Sequence, residues 1–241
     1  MSKVLVVSQP MFLPWVGLFE QIKLSDVFIH YDDVQLPQGR NFMYRVQIKT
    51  PKGASWLTAP IDRKKSGKLI KEAIFFNEED WRSNHLKKIR HNYAKRPYFH
   101  LMLEIVEKIY SYKTDYLSEF NINAIQQIAQ WLGISRHFLR SSTMNVAGAS
   151  TQRLLDLCQS VNCDIYLTGH GAMNYLNHEL FESKKISVYY IDYRKKPYNQ
   201  GYGEFTPYVS ILDSIANCGE QTRDLLCSNS VYWKNFLMEK S

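Results

Sequence analysis

The sequence predicts an α/β fold in which a mostly parallel sheet carries helices on both faces. Residues 4–7 are a continuous aliphatic run, the pattern of a strand buried on both faces. Apolar residues at helical spacing follow at 15–24, and a second apolar run follows at 27–31. The strand–helix alternation returns after residue 137. Parallel strands joined by right-handed crossovers account for this order, so we expect a Rossmann-like sheet.

The middle of the chain predicts a hairpin followed by a helical insertion. Residues 43–48 alternate, residues 55–60 are extended, and Pro51-Lys52-Gly53 between them has the composition of a turn. We expect a further strand at 70–76. Helical periodicity then predicts an insertion over about 81–132, with three helices near 81–93, 98–112 and 117–132 and Gly133 as the final cap.

The last hundred residues predict the second half of the sheet. The expected strands are 137–140, 164–167 and 188–193, the expected helices are 150–161, 172–181 and 210–217, and the segment 197–207 is expected to be a loop. No internal repeat, low-complexity tract or linker interrupts the pattern. A single domain over 1–241 is therefore the expected organisation.

Composition limits the classes of partner. The formal net charge of +7 and a pI of about 9.1 favour anionic partners such as phosphates, nucleotide-sugars, nucleic acid or anionic lipid headgroups, and a generally basic surface is the alternative. No nucleic-acid-binding signature accompanies the charge, so we expect no nucleic-acid partner. The first apolar run is too short for a signal peptide, and no run is long enough to enter a membrane, so we expect a cytoplasmic protein. The four cysteines and the histidines lack metal-site spacing, so no metal is expected.

The turn after the first strand is the first candidate site. Ligands of doubly wound sheets bind beyond the carboxyl ends of the strands. In this turn Gln9 offers an amide, Pro10 stiffens the backbone, Trp15 offers a flat stacking surface and Gly17 allows close approach. The alternative is a rigid turn whose aromatic residues are simply packed.

Charged residues follow the second strand. Asp32 and Asp33 are expected at the ligand-facing edge, one paired with Arg40 or Arg45 and the other contacting a ribose hydroxyl, a substrate amine or a metal. Helix capping and ordinary surface charge are the alternative. Trp56, in the predicted hairpin, is a further candidate for ligand contact.

The sharpest local feature is Gly169-His170-Gly171, with Tyr175 close behind it. The three residues follow a predicted strand, and an imidazole between two glycines projects from an uncluttered turn. Histidine titrates near neutrality, so His170 could act as a general base. A histidine that only holds its loop by hydrogen bonds is the alternative.

These segments together resemble the WbqC-like family over nearly the whole chain. The resemblance rests on Gln9-Pro10, Pro14-Trp15, Gly17, Asp26–Ile29, Asp32–Gln35, Arg45, Lys49, Trp56–Thr58, Pro60, Trp81, Tyr93, Ser141-Ser142, Tyr166–Gly171, Tyr175-Leu176, Phe181, Tyr198, Gln200, Phe205, Ser210–Asp213, Asn217 and Gly219. The histidine at position 170 departs from the family pattern, in which another small or polar residue usually stands between the glycines.

The resemblance implies a role in O-antigen or other surface-polysaccharide biosynthesis. It implies an acyl or aminoacyl transferase acting on a nucleotide-activated amino-sugar, and glycyl transfer is the activity proposed for the family. His170 or Asp33 would remove the amine proton, Arg40 and Arg45 would face the phosphates, and Ser210 and Asp213 would line the opposite wall. The cofactor stays unknown beyond an activated donor or a nucleotide. A nucleotidyltransferase-like enzyme, a non-catalytic nucleotide-sugar-binding protein and a homodimer all remain open.

Overall fold

The sheet and its helices alternate along the chain as the sequence predicts. A computed structural model describes residues 2–39, 41–77 and 80–239. The strands are β1 Val4–Ser8, β2 Val27–His30, β3 Arg45–Thr50, β4 Gly53–Thr58, β5 His137–Arg140, β6 Ile165–Thr168, β7 Ser187–Asp192 and β8 Asn229–Tyr232. The helices are α1 Val16–Leu24, α2 Trp81–Tyr93, α3 Phe99–Ser111, α4 Leu117–Trp131, α5 Ser150–Ser160, α6 His178–Ser183, α7 Ile211–Cys218 and α8 Trp233–Met238.

Strand β1 lies at the centre of the main sheet, whose order is β5-β2-β1-β6-β7-β8. All neighbouring pairs are parallel except β7 and β8. The chain runs outward from β1 through β2 to β5 and then returns to β6 on the other side of β1. The order therefore reverses between β1 and β6. A crevice opens at such a point because the two crossovers leave in opposite directions.

The central strands are apolar on both faces because each face buries its own core. Val6 and Phe28 pack into one cluster, together with α1, α7 and the helical insertion. Leu5 and Val7 point to the opposite face, where they pack against α5, α6 and α8. Successive side chains of a strand face opposite sides, so one aliphatic run supplies both cores. The prediction of helices on both faces is confirmed.

An aromatic cluster connects the insertion to the turn after β1. Trp81 of α2 lies 4.7 Å from Phe75 and 5.8 Å from Phe120 of α4, measured between ring centroids. Phe12, from the turn itself, stacks on Phe120 at 5.6 Å. The prediction of the insertion α2–α4 is confirmed, and its aromatic residues pack against Phe12 of the turn.

Three expectations about local structure are wrong. Residues 70–76 form a 3₁₀ turn at Ile70–Glu72 followed by isolated bridges to Ile61 and Tyr116, because no neighbouring strand runs beside them. The helix expected at 172–181 is a 3₁₀ turn at His170–Asn174 and a separate α6. The antiparallel strand β8 and helix α8 were not predicted.

The helices of the structure can be assessed by their length and apolar character against the thickness of a bilayer. Within residues 2–39, 41–77 and 80–239, no helix has both the length and the apolar character needed to cross a bilayer.

Candidate functional site

A cleft of about 570 Å³ opens at the carboxyl edge of the sheet. Its walls come from the turn after β1, from Tyr31 after β2, from Thr168–Ala172 after β6 and from Tyr193 after β7. The cleft thus lies where the strand order reverses, the usual ligand position in an open α/β sheet. The turn after β1 and the Gly-His-Gly turn, which are 160 residues apart in sequence order, face the same space.

The described lining of this cleft is aromatic and uncharged. It contains amide, hydroxyl and imidazole groups but no Asp, Glu, Lys or Arg side chain, and its aromatic members are Trp15, Tyr31, Phe42, Tyr166, Tyr175, Tyr193 and Tyr208. Such a surface suits a ring-shaped ligand held by stacking and hydrogen bonds, with any charged portion outside the cleft.

The turn after β1 holds a strained backbone. Leu13 has a φ of 42° although it is a buried leucine preceding a proline, a conformation that costs about 1–3 kcal/mol. The N-terminus of α7 holds it in place. The Ser210 hydroxyl donates to the Leu13 carbonyl at 2.8 Å, and the Ile211 amide donates to the Pro14 carbonyl at 2.8 Å. Ser210 is therefore buried beneath the turn and does not line the cleft.

Of the four residues proposed in this turn, two face the cleft directly. Gln9 and Trp15 are in its lining. Pro10 is buried, and its carbonyl accepts a hydrogen bond from the Asn121 amide at 2.8 Å. Gly17 lies under the Trp15 indole, and a Cβ there would stand 2.3 Å from two ring carbons. Gly17 therefore acts by letting the indole lie flat on α1.

Replacing Gly17 with alanine is expected to displace the Trp15 indole. The ring lies 4.8 Å from Tyr193 and 5.6 Å from Tyr208, so its movement breaks the aromatic surface of the cleft. We expect a stability loss of about 1–2 kcal/mol from overpacking, reduced by the better helix propensity of alanine. Affinity for a nucleotide-sugar should fall about tenfold with the lost stacking. Thermal unfolding with and without ligand measures both.

Gly171→Ala is the control for Gly17→Ala, because it adds the same methyl group at another glycine near the cleft. A Cβ at Gly171 meets nothing within 4 Å, so the melting temperature should equal that of the wild type. Because Gly171 lines the cleft, the added methyl group should still weaken ligand binding. Unchanged binding in both variants would contradict the location of the site.

His170 lies in the cleft wall with one ring nitrogen already bound. Its Nε2 is 2.7 Å from the Ile191 carbonyl oxygen. A carbonyl can only accept, so Nε2 carries the proton and Nδ1 carries the lone pair. The ring also packs against Tyr193 at 5.2 Å and Phe236 at 4.8 Å. These contacts hold the imidazole in one tautomer and one orientation. The loop-holding contact uses Nε2, so a role as general base would fall to Nδ1.

The neighbouring glycine has no conformational reason to be glycine. Gly169 has a φ of −84°, which any residue adopts, and a Cβ would sit 3.7 Å from the Gln21 amide and the Tyr193 hydroxyl, an ordinary contact distance. The space beside it belongs to the cleft. A glycine here leaves the backbone open to the cleft.

A second pocket, of about 380 Å³, adjoins the cleft and shares Tyr31, Leu154 and Tyr175 with it. Asp33 lies in this ion-pair pocket, bound by the Arg153 guanidinium at 2.6 Å and by the Ser141 hydroxyl at 2.6 Å. Burial raises the pKa of Asp33, but these hydrogen bonds outweigh it and leave the pKa below its ordinary value. A carboxylate held in its ionised form is a weak base. The geometry favours His170 over Asp33 for proton removal.

The Asp32 side chain is buried and holds the turn after β5 by hydrogen bonds. It is 2% exposed and accepts hydrogen bonds from the Ser142 hydroxyl at 2.8 Å and the Ser142 amide at 3.1 Å. It joins the end of β2 to the turn after β5. The expectation that both carboxylates emerge at the ligand edge is therefore wrong for Asp32. The Ser141 hydroxyl lies within hydrogen-bond distance of both carboxylates, but of the two only Asp33 is in a pocket lining.

Arg45, one of the two arginines proposed as phosphate ligands, has no ion pair with Asp32 or Asp33 among the described residues. Arg45 stacks on Trp56, with Cζ 4.4 Å from the ring centroid, and its Nε donates to the Asn41 carbonyl at 3.3 Å. Neither Arg45 nor Trp56 is in the cleft lining. The Trp56 ring centroid lies 6.0 Å from that of Phe42, and Phe42 does line the cleft. Arg40 lies outside the described residues. The partner of Asp33 is Arg153, which sequence reasoning missed.

Asp213 is buried beneath the cleft. It is 0% exposed and accepts hydrogen bonds from the Tyr93 hydroxyl at 3.0 Å and the Tyr198 hydroxyl at 2.8 Å. Burial raises its pKa to about 6, against the lowering effect of the hydrogen bonds from Tyr198 and Tyr93. Like Ser210, Asp213 does not line the cleft. Its contacts tie the loop 197–207 to α7.

Several cleft residues were not singled out from the sequence. Gln21 donates to the Tyr193 hydroxyl at 2.6 Å, and the two close the cleft between α1 and the end of β7. Tyr31, Tyr193 and Tyr208 also line it. Tyr31 and Tyr193 are the last residues of predicted strands and directly follow the observed strands, so the rule about carboxyl ends could have found them. Nothing in the sequence distinguishes Gln21.

Comparison with known proteins agrees with the pattern of the sequence. The model of the WbqC-like protein family matches residues 9–225. Uncharacterized protein Rv1507c of Mycobacterium tuberculosis is 33% identical over 229 residues, covering 94% of this chain and 98% of that protein. No solved structure matches the chain. The matched range includes both turns of the cleft, and the chain belongs to the WbqC-like protein family.

Proposed function

We propose that this protein is an acyl or aminoacyl transferase that acts on a nucleotide-activated amino-sugar in surface-polysaccharide biosynthesis. The observation that supports this most is the cleft at the carboxyl ends of β1 and β6, which combines His170 with an aromatic, hydrogen-bonding lining. Stacking surfaces suit a nucleobase or a sugar ring, and amide and hydroxyl groups suit sugar hydroxyls. A single well-oriented imidazole suits the proton transfers of acyl exchange.

The proposed reaction uses His170 as base and then as acid. Nδ1 takes a proton from the sugar amine while the amine nitrogen forms the new amide bond to the acyl carbon. The bond between that carbon and the donor's leaving group breaks, and His170 returns the proton to the leaving group. The hydrogen bond from Nε2 to the Ile191 carbonyl supports the charge that the ring carries in between.

The test is to incubate the full chain with a dTDP-4-amino-sugar and a panel of activated glycyl and acyl donors. Mass spectrometry should show the sugar nucleotide gaining one acyl group, with retention of the nucleotide. If no donor in the panel gives a mass gain, the transferase proposal is to be dropped. Release of pyrophosphate in a separate incubation with ATP or CTP would identify the nucleotidyltransferase-like alternative.

A non-catalytic nucleotide-sugar-binding protein is the second candidate. One observation favours it: both proposed bases make structural contacts, His170 with Ile191 and Asp33 with Arg153. Turnover of the wild type distinguishes the two candidates, and calorimetry on His170→Ala and Asp33→Asn tests whether either contact is needed for binding. The binding protein predicts unchanged affinity in both variants and no turnover in the wild type.

A further inference from the structure

A third pocket lies beyond the ion-pair pocket and has a different chemistry. This basic pocket, of about 440 Å³, is formed by the segment Gln35–Gln38, by Tyr44 and by the segment 61–68. It shares Gln35 with the ion-pair pocket, which in turn shares three residues with the cleft. The three cavities therefore lie in series along one surface of the molecule.

Two cationic side chains line the basic pocket without an acidic partner. They are Arg63 and Lys68, both exposed. Arg63 donates from Nη1 to the Gln38 side-chain carbonyl at 3.1 Å, which leaves most of its N–H donors for other acceptors. In the part of the chain that the structure describes, neither side chain forms an ion pair with a carboxylate.

The carboxylates of the same segment are occupied by their own turn. Asp62 accepts hydrogen bonds from the Lys64 and Lys65 amides at 3.0 and 3.1 Å, and its other oxygen lies 3.5 Å from the Lys65 ammonium. Glu72 accepts from the Leu69 amide at 3.1 Å. The described lining of the basic pocket contains no carboxylate. The charged side chains of the described lining are therefore both cationic, while the Glu72 carboxylate lies beside Gly67 at the edge of the pocket.

We propose that the basic pocket binds a phosphate or diphosphate group through Arg63 and Lys68. A guanidinium offers paired N–H donors that match phosphate oxygens, and a nearby ammonium adds a point charge. The lining also supplies amide side chains at Gln35 and Gln38 for the remaining oxygens. The proposal concerns this pocket alone and stands whether or not the cleft catalyses acyl transfer.

The test compares two double variants that remove the same charge from the same segment. Arg63→Gln/Lys68→Gln changes the two lining residues, and Lys64→Gln/Lys65→Gln changes two exposed neighbours that are not in the lining. Calorimetry at low ionic strength uses inorganic pyrophosphate as the probe, because salt screens such contacts. The lining variant should weaken binding at least about tenfold, and the neighbouring variant by less than about threefold.

Phosphate could also be presented by a lipid headgroup, so a second arm uses vesicles of phosphatidylglycerol. The proposal is supported if free pyrophosphate binds and competes with any vesicle binding. Equal weakening in both double variants would mean that only the general field of the basic segment acts, and would overturn it. Absence of pyrophosphate binding, with or without vesicle binding, would overturn it as well. None of these readings needs an acyl donor, so they do not depend on the transferase assay.

Discussion

Replacing His170 with glutamine is expected to slow acyl transfer about 10²–10⁴-fold, the usual contribution of a positioned general base. Glutamine can still donate an N–H to the Ile191 carbonyl, so the turn should keep its shape. The amide cannot take a proton at neutral pH. The affinity for the nucleotide-sugar should therefore change by less than about threefold.

Steady-state rates from the mass assay, together with calorimetry, measure this prediction. His100→Gln is the control, since His100 is exposed on α3 and lies outside the cleft lining. It should have the wild-type rate. A His170→Gln enzyme with the wild-type rate would remove His170 from the mechanism and leave its contacts with Ile191 and Phe236 as its role.

Acidification from pH 7 to pH 5 is expected to weaken the fold by about 3 kcal/mol. Burial, helped by the charge of Arg140, lowers the pKa of His30 to about 3. Burial lowers the pKa of His85 to about 4, against the hydrogen bond to the Thr58 carbonyl. Below pH 6.5 these two histidines become protonated in the unfolded chain but stay neutral in the folded chain. Each therefore costs about 2 kcal/mol over this range.

Asp213 acts in the opposite direction. Because its pKa is raised to about 6, the folded chain takes up a proton there between about pH 6 and pH 4 and the unfolded chain does not. This stabilises the folded state by about 1 kcal/mol on going from pH 7 to pH 5. The histidines prevail, so the net effect is a loss of stability as the pH falls. Urea unfolding at several pH values measures it.

The substitution His30→Leu isolates the contribution of His30 to the loss of folding stability at low pH. Both ring nitrogens of His30 are buried without a hydrogen-bond partner among the described residues, so an apolar replacement loses no hydrogen bond. The variant should equal or exceed the wild type at pH 7 and be about 2 kcal/mol more stable than the wild type at pH 5. His100→Gln should keep the wild-type dependence. A pH dependence unchanged by His30→Leu would mean that His30 is protonated in the folded state.

Much of the fold could be predicted because its signals are local. The aliphatic run of β1 and the helical spacing of α1 need no distant partner to be recognised, and neither do the three helices of the insertion. The failure at 70–76 has the opposite cause. A run of apolar residues there resembles a strand, but a strand needs a neighbour to pair with, and this segment meets only isolated bridging residues.

In the candidate site, too, features set by a short segment could be predicted, and contacts between distant residues could not. The two turns of the cleft could be located because each follows a strand, and parallel strands end at one edge. The ion pair between Asp33 and Arg153 joins residues 120 positions apart, and nothing local in the sequence selects Arg153 from the other ten arginines. Ser210 and Asp213 look like a helix N-terminus open to a ligand, but the buried turn after β1 occupies that end of α7.

By itself, the sequence determined the order of strands and helices, the family, and which turns reach the ligand edge of the sheet. Periodicity and strand-end position are properties of short segments, so they can be read without coordinates. The tertiary structure alone decided which charges are paired, which nitrogen of His170 holds the proton, and which polar residues are buried. Those depend on the low dielectric of the interior and on partners brought together only when β6 packs beside β1.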